Sequence, residues 1–136
     1  MRTIWLFGLL VLAFAVMGTS AAETPNLVGV WAGSGPGYNE KVGYTEGGAY
    51  GTVTFNITEQ NGRVFAGDLT YQLNGTDVVE GFAGAIGSDD KSLYIVEFIS
   101  GYDAGTVISE DEIELIYLQD GEPAEVFIQT FSRVAE

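Results

Sequence analysis

Apolar and polar residues alternate in short runs along most of the chain, and a turn signal follows nearly every run. Residues 49–59 alternate most cleanly. Val53, Phe55 and Ile57 share one face, and Thr52, Thr54, Asn56 and Thr58 share the other. Asn61-Gly62 then gives a strong two-residue hairpin signal, because both residues tolerate left-handed backbone. Residues 63–73 return with Phe65, Leu69, Tyr71 and Leu73 on one face, and Asn74-Gly75 turns the chain again. Five further runs follow at 77–86, 92–98, 104–108, 112–118 and 124–134. Between them lie Gly87-Ser88-Asp89-Asp90, Gly101-Tyr102-Asp103, Glu110-Asp111 and Asp120-Gly121. The first run, 27–32, stops at Gly33-Ser34-Gly35-Pro36-Gly37, and a polar connection over 38–48 leads on. No segment carries a helical period.

Eight strands joined by such short connections must neighbour one another in sequence order. The predicted fold class is therefore all-β: an eight-stranded antiparallel up-and-down β-barrel, wide enough for a side-chain core or one small ligand. A two-sheet sandwich is the alternative, but it needs a long crossover, and only 38–48 offers one.

The first 22 residues read differently. Arg2 is followed by an apolar run from Ile4 to Met17 and then by Ser20-Ala21-Ala22, the small residues of a cleavage site. Residues 1–22 are expected to be a signal peptide and residues 23–136 a single barrel domain. The run is shorter than the roughly 20 residues that span a bilayer, and no Cys follows it to carry a lipid. The expected location is secreted, extracellular or in a periplasmic or cell-surface space, with no membrane association after cleavage. The barrel has no Cys and hence no disulfide; closing the sheet removes exposed edges instead.

Gly29-Val30-Trp31 on the first strand resembles the Gly-x-Trp signature of the lipocalin, fatty-acid-binding and avidin group of barrels. In lipocalins and fatty-acid-binding proteins a basic residue on the last strand packs near that Trp. The ending Gln129-Thr130-Phe131-Ser132-Arg133-Val134 looks like such a strand. The chain also resembles secreted prokaryotic lipocalin-like domains. It has no helical pair for a fatty-acid lid and no C-terminal helix. Its helix-free length looks closest to avidin, yet avidin's later tryptophans are missing, so biotin is not implied. Physically, a Trp fills the tapered floor of a barrel and a guanidinium stacks on its face. Trp31 and Arg133 are thus an expected barrel-closing pair that serves stability. One difficulty stands: both lie late in their strands, whereas antiparallel closure sets late against early.

Removing Arg2 leaves four basic residues against 19 acidic ones, a net charge of about −15. Such a surface disfavours nucleic acid and anionic membranes and suits solubility, cations or a basic partner. With no His and no Cys, His-based triads, thiol nucleophiles and most zinc, copper and haem sites are excluded. No cofactor and no metal site is expected; Asp89-Asp90 and Glu110-Asp111-Glu112 read as solvated turns. Asn56-Ile57-Thr58 and Asn74-Gly75-Thr76 match the glycosylation acceptor pattern.

The remaining chemistry is aromatic and carboxylic. Phe55, Phe65, Tyr71, Phe82 and Tyr117 are candidate barrel-lining residues for an apolar or aromatic ligand, or else simply the filled core. Glu80 shares strand parity with Val78 and Phe82, and Glu97 with Leu93 and Ile95. A strand carboxylate ordinarily faces outward. Turned inward, it has its pKa raised by desolvation and is able to bind a cation or move a proton. Non-enzymatic binding of a small apolar or aromatic ligand inside the barrel is the leading expectation, and an open end with a void of roughly 300 Å³ its mark. The alternative is a protein-interaction or protease-inhibitor-like module with a filled barrel, reaching out through residues 23–26 or the 33–48 loop. A carboxylate-based barrel enzyme comes third, marked by two carboxylates converging in one cavity.

Overall fold

Alternation assigns each residue to the inside or the outside, and hydrogen bonding between runs closes the ring. The computed structural model describes residues 23–135. The expected signal peptide, 1–22, lies outside the described residues. Ten strands form: β1 (Gly29–Ser34), β2 (Gly37–Asn39), β3 (Gly43–Thr45), β4 (Val53–Asn61), β5 (Val64–Leu73), β6 (Thr76–Ile86), β7 (Ser92–Glu97), β8 (Tyr102–Ser109), β9 (Glu112–Gln119) and β10 (Glu125–Arg133). From β4 to β10 each strand pairs antiparallel with the next, and β1 sits between β4 and β10. The result is a closed eight-stranded antiparallel barrel, with no helix among the described residues.

The two additional strands correct the sequence reading. The glycine-rich stretch after Ala32 bends the first strand without taking it out of the sheet. β2 resumes along β10, with Gly37 opposite Phe127 and Asn39 opposite Glu125, and then pairs with β3. Ile128 N–H donates to the Pro36 carbonyl (2.9 Å) across the bend. A Cβ at Gly35 would run into the Ile128 carbonyl, so glycine is what lets the bent backbone stay against β10. The first stave of the barrel thus extends from Gly29 to Asn39, and Trp31 lies early in it. Its register partner is Arg133, late in β10, and the apparent conflict of polarity disappears.

The turns behave as their residues require. Asn74 and Gly75 both adopt positive φ (52° and 76°) and make the tight β5–β6 hairpin. The β6–β7 turn is fixed by Asp89, whose carboxylate accepts from Lys91 N–H (3.0 Å), Ser92 N–H (2.8 Å) and Ser92 Oγ (2.5 Å). These bonds to the charged form, the Ser92 hydroxyl first, hold the Asp89 pKa down at about 2.

The core fills one end of the barrel. Trp31, Phe55, Phe65, Phe82, Phe131, Leu69, Leu93, Ile113 and Leu115 are essentially inaccessible. Phe55 meets Phe82 and Phe131 edge-to-face at 5.0 and 5.3 Å between centroids, the arrangement aromatic quadrupoles favour. Trp31 Nε1 donates to the Leu27 carbonyl (2.9 Å), which satisfies its polar atom at the sealed end.

Candidate functional site

The other end of the barrel is open. There the inward rows that supply Phe and Leu at the sealed end turn to Tyr, Glu and Gln. Along β5 the inward series Phe65, Leu69 continues to Tyr71; along β7 Leu93, Ile95 continues to Glu97; along β9 Ile113, Leu115 continues to Tyr117. Cross-strand pairing gathers these ends. Asp103 on β8 lies opposite both Ile95 and Tyr117, Tyr117 opposite Phe127, and Glu80 on β6 opposite Leu69.

Of these, Leu69, Tyr71, Glu97, Tyr117 and Phe127 border a cavity of about 360 Å³ at the open end, and Asp103 and Glu80 lie behind it. Tyr50, Tyr71, Tyr117 and Phe127 form the aromatic wall, Val53, Leu69, Leu73 and Ile99 the aliphatic one, and Asn39, Glu97, Gln119, Glu125 and Gln129 the polar positions. Tyr50 stands edge-to-face against Tyr71 (5.9 Å) and Phe127 (5.4 Å). Its hydroxyl donates to Glu125 Oε1 (2.5 Å), while Asn39 Nδ2 donates to Glu125 Oε2 (2.7 Å). Glu125 is thereby fixed and satisfied.

Glu80, Glu97 and Asp103 form a second group beside the cavity. Glu80 Oε2 accepts from Ile99 N–H (2.5 Å), but its Oε1 has no partner, and Asp103 meets no donor other than the Glu97 carboxyl. Asp103 is 2% exposed and Glu80 5%. No Lys or Arg lines this end. Burial, then Asp103, then Glu80 push the Glu97 carboxyl up to about 9. Burial also raises Asp103, to about 7, against the lowering effect of its contact with Glu97. At neutral pH the group therefore retains a proton. The tyrosines respond in the same sense. Desolvation first, then Glu80, raise Tyr71 to about 12. Burial raises Tyr50, helped by its bond to Glu125, and raises Tyr117, helped by Glu97.

Of the candidate lining residues, Tyr71 and Tyr117 border the cavity. Phe55, Phe65 and Phe82 do not; they lie deeper, at 1% exposure or less, and fill the sealed half as core. The barrel tapers to solid packing there, and parity alone cannot tell wall from floor. Glu80 and Glu97 both turn inward with their apolar strand-mates, against the ordinary outward placement. Trp31 and Arg133 come together, but at the opposite end. Sequence reasoning counts Tyr50 among the aromatics without singling it out, and it does not reach Asp103 or Glu125. Glu125 alternates with Phe127, Gln129 and Phe131 and was legible by parity. Asp103 was hidden because Gly101-Tyr102-Asp103 read as a break, whereas β8 begins at Tyr102 directly after Gly101 takes a positive φ of 89°.

Of the two proposed reaching segments, the first is tied down and the second only in part. The 23–26 segment is tied across the sealed end: Thr24 Oγ1 donates to Asp90 (2.9 Å), Gln60 Nε2 to the Pro25 carbonyl (2.9 Å) and Arg133 Nη2 to the Asn26 carbonyl (2.9 Å). Of the 33–48 loop, β2 is part of the barrel wall, and its β3 hairpin exposes Tyr44 beside Tyr38. Among the described residues no group of three or more carboxylates is spaced to hold a metal ion.

No protein-family model matches the chain, and no curated protein matches it in sequence. Among solved structures it is similar to a redesigned β-barrel, with a TM-score of 0.58 and 10% sequence identity over 80% of this chain and 92% of the other. At that identity the likeness speaks to the fold.

Proposed function

We propose that the protein is a non-enzymatic carrier or sensor that takes one small apolar or aromatic molecule into the open end of its barrel. A single observation carries this reading: one end is sealed by packed rings, while the other holds a cavity of about 360 Å³ walled by Tyr50, Tyr71, Tyr117 and Phe127. That is within the size of small-molecule sites, and several of its polar groups, Asn39, Gln119 and Glu125, are held by hydrogen bonds. The Trp31–Arg133 pairing beside Gly29 supports kinship with the lipocalin, fatty-acid-binding and avidin group. The apolar leader supports secretion, and the acidic surface argues against nucleic acid as a partner.

Titration with N-phenyl-1-naphthylamine, a neutral aromatic dye, tests the reading. Saturable one-to-one enhancement of its fluorescence is expected. Gln129→Phe, which fills the cavity from β10, abolishes it. A dye that fails to bind, or that binds the variant equally well, sinks the proposal.

A second reading is a carboxyl-based enzyme. It is favoured by Glu97 and Glu125 bordering the same cavity, with Glu97 held in its acid form to donate a proton.

A further inference from the structure

The cavity has aromatic walls but an unbalanced charge. Glu97 and Glu125 line it, and no basic side chain does. The four basic residues of the 23–136 region are elsewhere. Lys41, Arg63 and Lys91 are exposed on turns, and Arg133 is bound at the sealed end. Glu125 has its own donors, Tyr50 and Asn39. The group around Glu97 has almost none. Asp103 is buried with only the Glu97 carboxyl against it and no amide, hydroxyl or basic donor, and Glu80 is satisfied on one oxygen only. A buried polar atom short of partners is costly, and more so when charged. This acidity is therefore something the protein alone tolerates and a bound cation would relieve.

We propose that the molecule taken up carries a protonated or quaternary amine, with its charge set against Glu97 and its apolar part against the rings of Tyr50, Tyr71 and Tyr117. This rests on the ligand-binding reading above and names the class of ligand. Tyrosine faces attract cations, most strongly where water is excluded. The acidic surface concentrates cations around the mouth and repels anions of similar shape. A neutral hydrocarbon fills the same space but leaves Asp103 and Glu80 as they are.

The proposal implies an exchange. Without a bound cation Glu97 keeps a proton, because burial disfavours its charge and Asp103 from β8 and Glu80 from β6 face it. Tyr71 from β5, Tyr117 from β9, and Tyr50 with Glu125 at the far wall are the other titratable groups on this cavity; none brings a positive charge. An incoming ammonium takes the place of that proton. Affinity for a permanently charged ligand then rises with pH, by at most tenfold per unit for each proton displaced.

Calorimetry on the whole protein with benzyltrimethylammonium and with neopentylbenzene, its uncharged isostere, is the test. The ammonium is expected to bind at least tenfold more tightly at pH 8, and its affinity to rise at least tenfold, and up to a few hundredfold, from pH 6 to pH 9 while that of the isostere stays flat. Glu97→Gln is expected to erase the preference and the pH dependence without lowering the melting temperature. Tyr50→Leu, on the opposite wall, is expected to weaken the ammonium several-fold more than the isostere. Equal binding of the two probes overturns the amine and leaves the cavity reading standing. Binding of neither overturns both. A preference that survives Glu97→Gln overturns the assignment of the charge to Glu97.

Discussion

The guanidinium of Arg133 lies 4.2 Å above the centre of the Trp31 ring, and its nitrogens hold three carbonyls on two separate stretches of backbone. Nη1 donates to the Val28 carbonyl (2.8 Å), Nη2 to the Asn26 carbonyl (2.9 Å), and Nε and Nη2 to the Glu110 carbonyl (3.2 and 3.1 Å). Asp111 adds an exposed carboxylate at 3.5 Å. Arg133 is thus the bolt of the sealed end. Arg133→Met, which keeps the stem and removes the fork, is expected to cost about 2–4 kcal/mol and to leave ligand affinity unchanged. In a chain begun at Glu23, Trp31 is the one tryptophan, so its emission must change in the same variant. An unaltered spectrum and melting curve would refute the contact.

Gly29 is required beside this bolt. Its φ is +137°, and a Cβ there would lie 2.9 Å from Arg133 Nη1. Gly29→Ala combines backbone strain with displacement of the guanidinium, and a loss of about 1–3 kcal/mol is expected. Combined with Arg133→Met, the loss should fall short of the sum of the two, because the displaced group is already gone. Full additivity in that double-mutant cycle would mean that the glycine acts on its own.

The Glu97–Asp103 group sets the sign of a pH dependence. Both carboxyls titrate higher when folded, about 9 and about 7, than the ordinary 4.5 and 3.8. Between those limits the native barrel binds more protons than the unfolded chain, so stability falls as pH rises from about 4 to about 9 and levels off beyond. The slope for one proton is at most ~1.4 kcal/mol per pH unit. Asp103→Asn and Glu97→Gln are each expected to flatten the curve and to raise the melting temperature at pH 8. Urea titrations across pH 5–9 measure this. Stability that climbs over that range contradicts the buried-acid assignment.

Floor and wall are separable. Phe82 packs against Phe55 and Phe65 in the sealed half, and Phe82→Leu should cost about 1–3 kcal/mol while sparing dye affinity. Tyr117→Leu should do the reverse, weakening binding several-fold with a smaller thermal effect. Identical behaviour of the two variants would show that the cavity and core are one unit.

Much of the barrel is legible in the chain because a strand has only two faces. Val53, Phe55 and Ile57 fall inward as their alternation requires, and Glu97 follows Leu93 and Ile95 inward although its charge argues otherwise. What alternation lacks is depth. Phe82 and Tyr117 share an inward parity, yet one is floor and the other wall, because depth depends on stagger between strands far apart in sequence. The bend at Gly35-Pro36 was read as an end because glycine and proline signal both. Only the Phe127–Gly37 pairing on β10 distinguishes a corner from a break.

The pairing of β1 with β10 also dictates an order of events. Arg133 and Val28 stand 105 residues apart, so the seam of the barrel waits for the last strand to be made. Until then β1 and the growing meander each present an unpaired edge, the feature that recruits other chains. Each newly made copy passes through a sticky interval that ends only when the bolt slides home, and the strong like charge of its neighbours is what keeps them apart meanwhile.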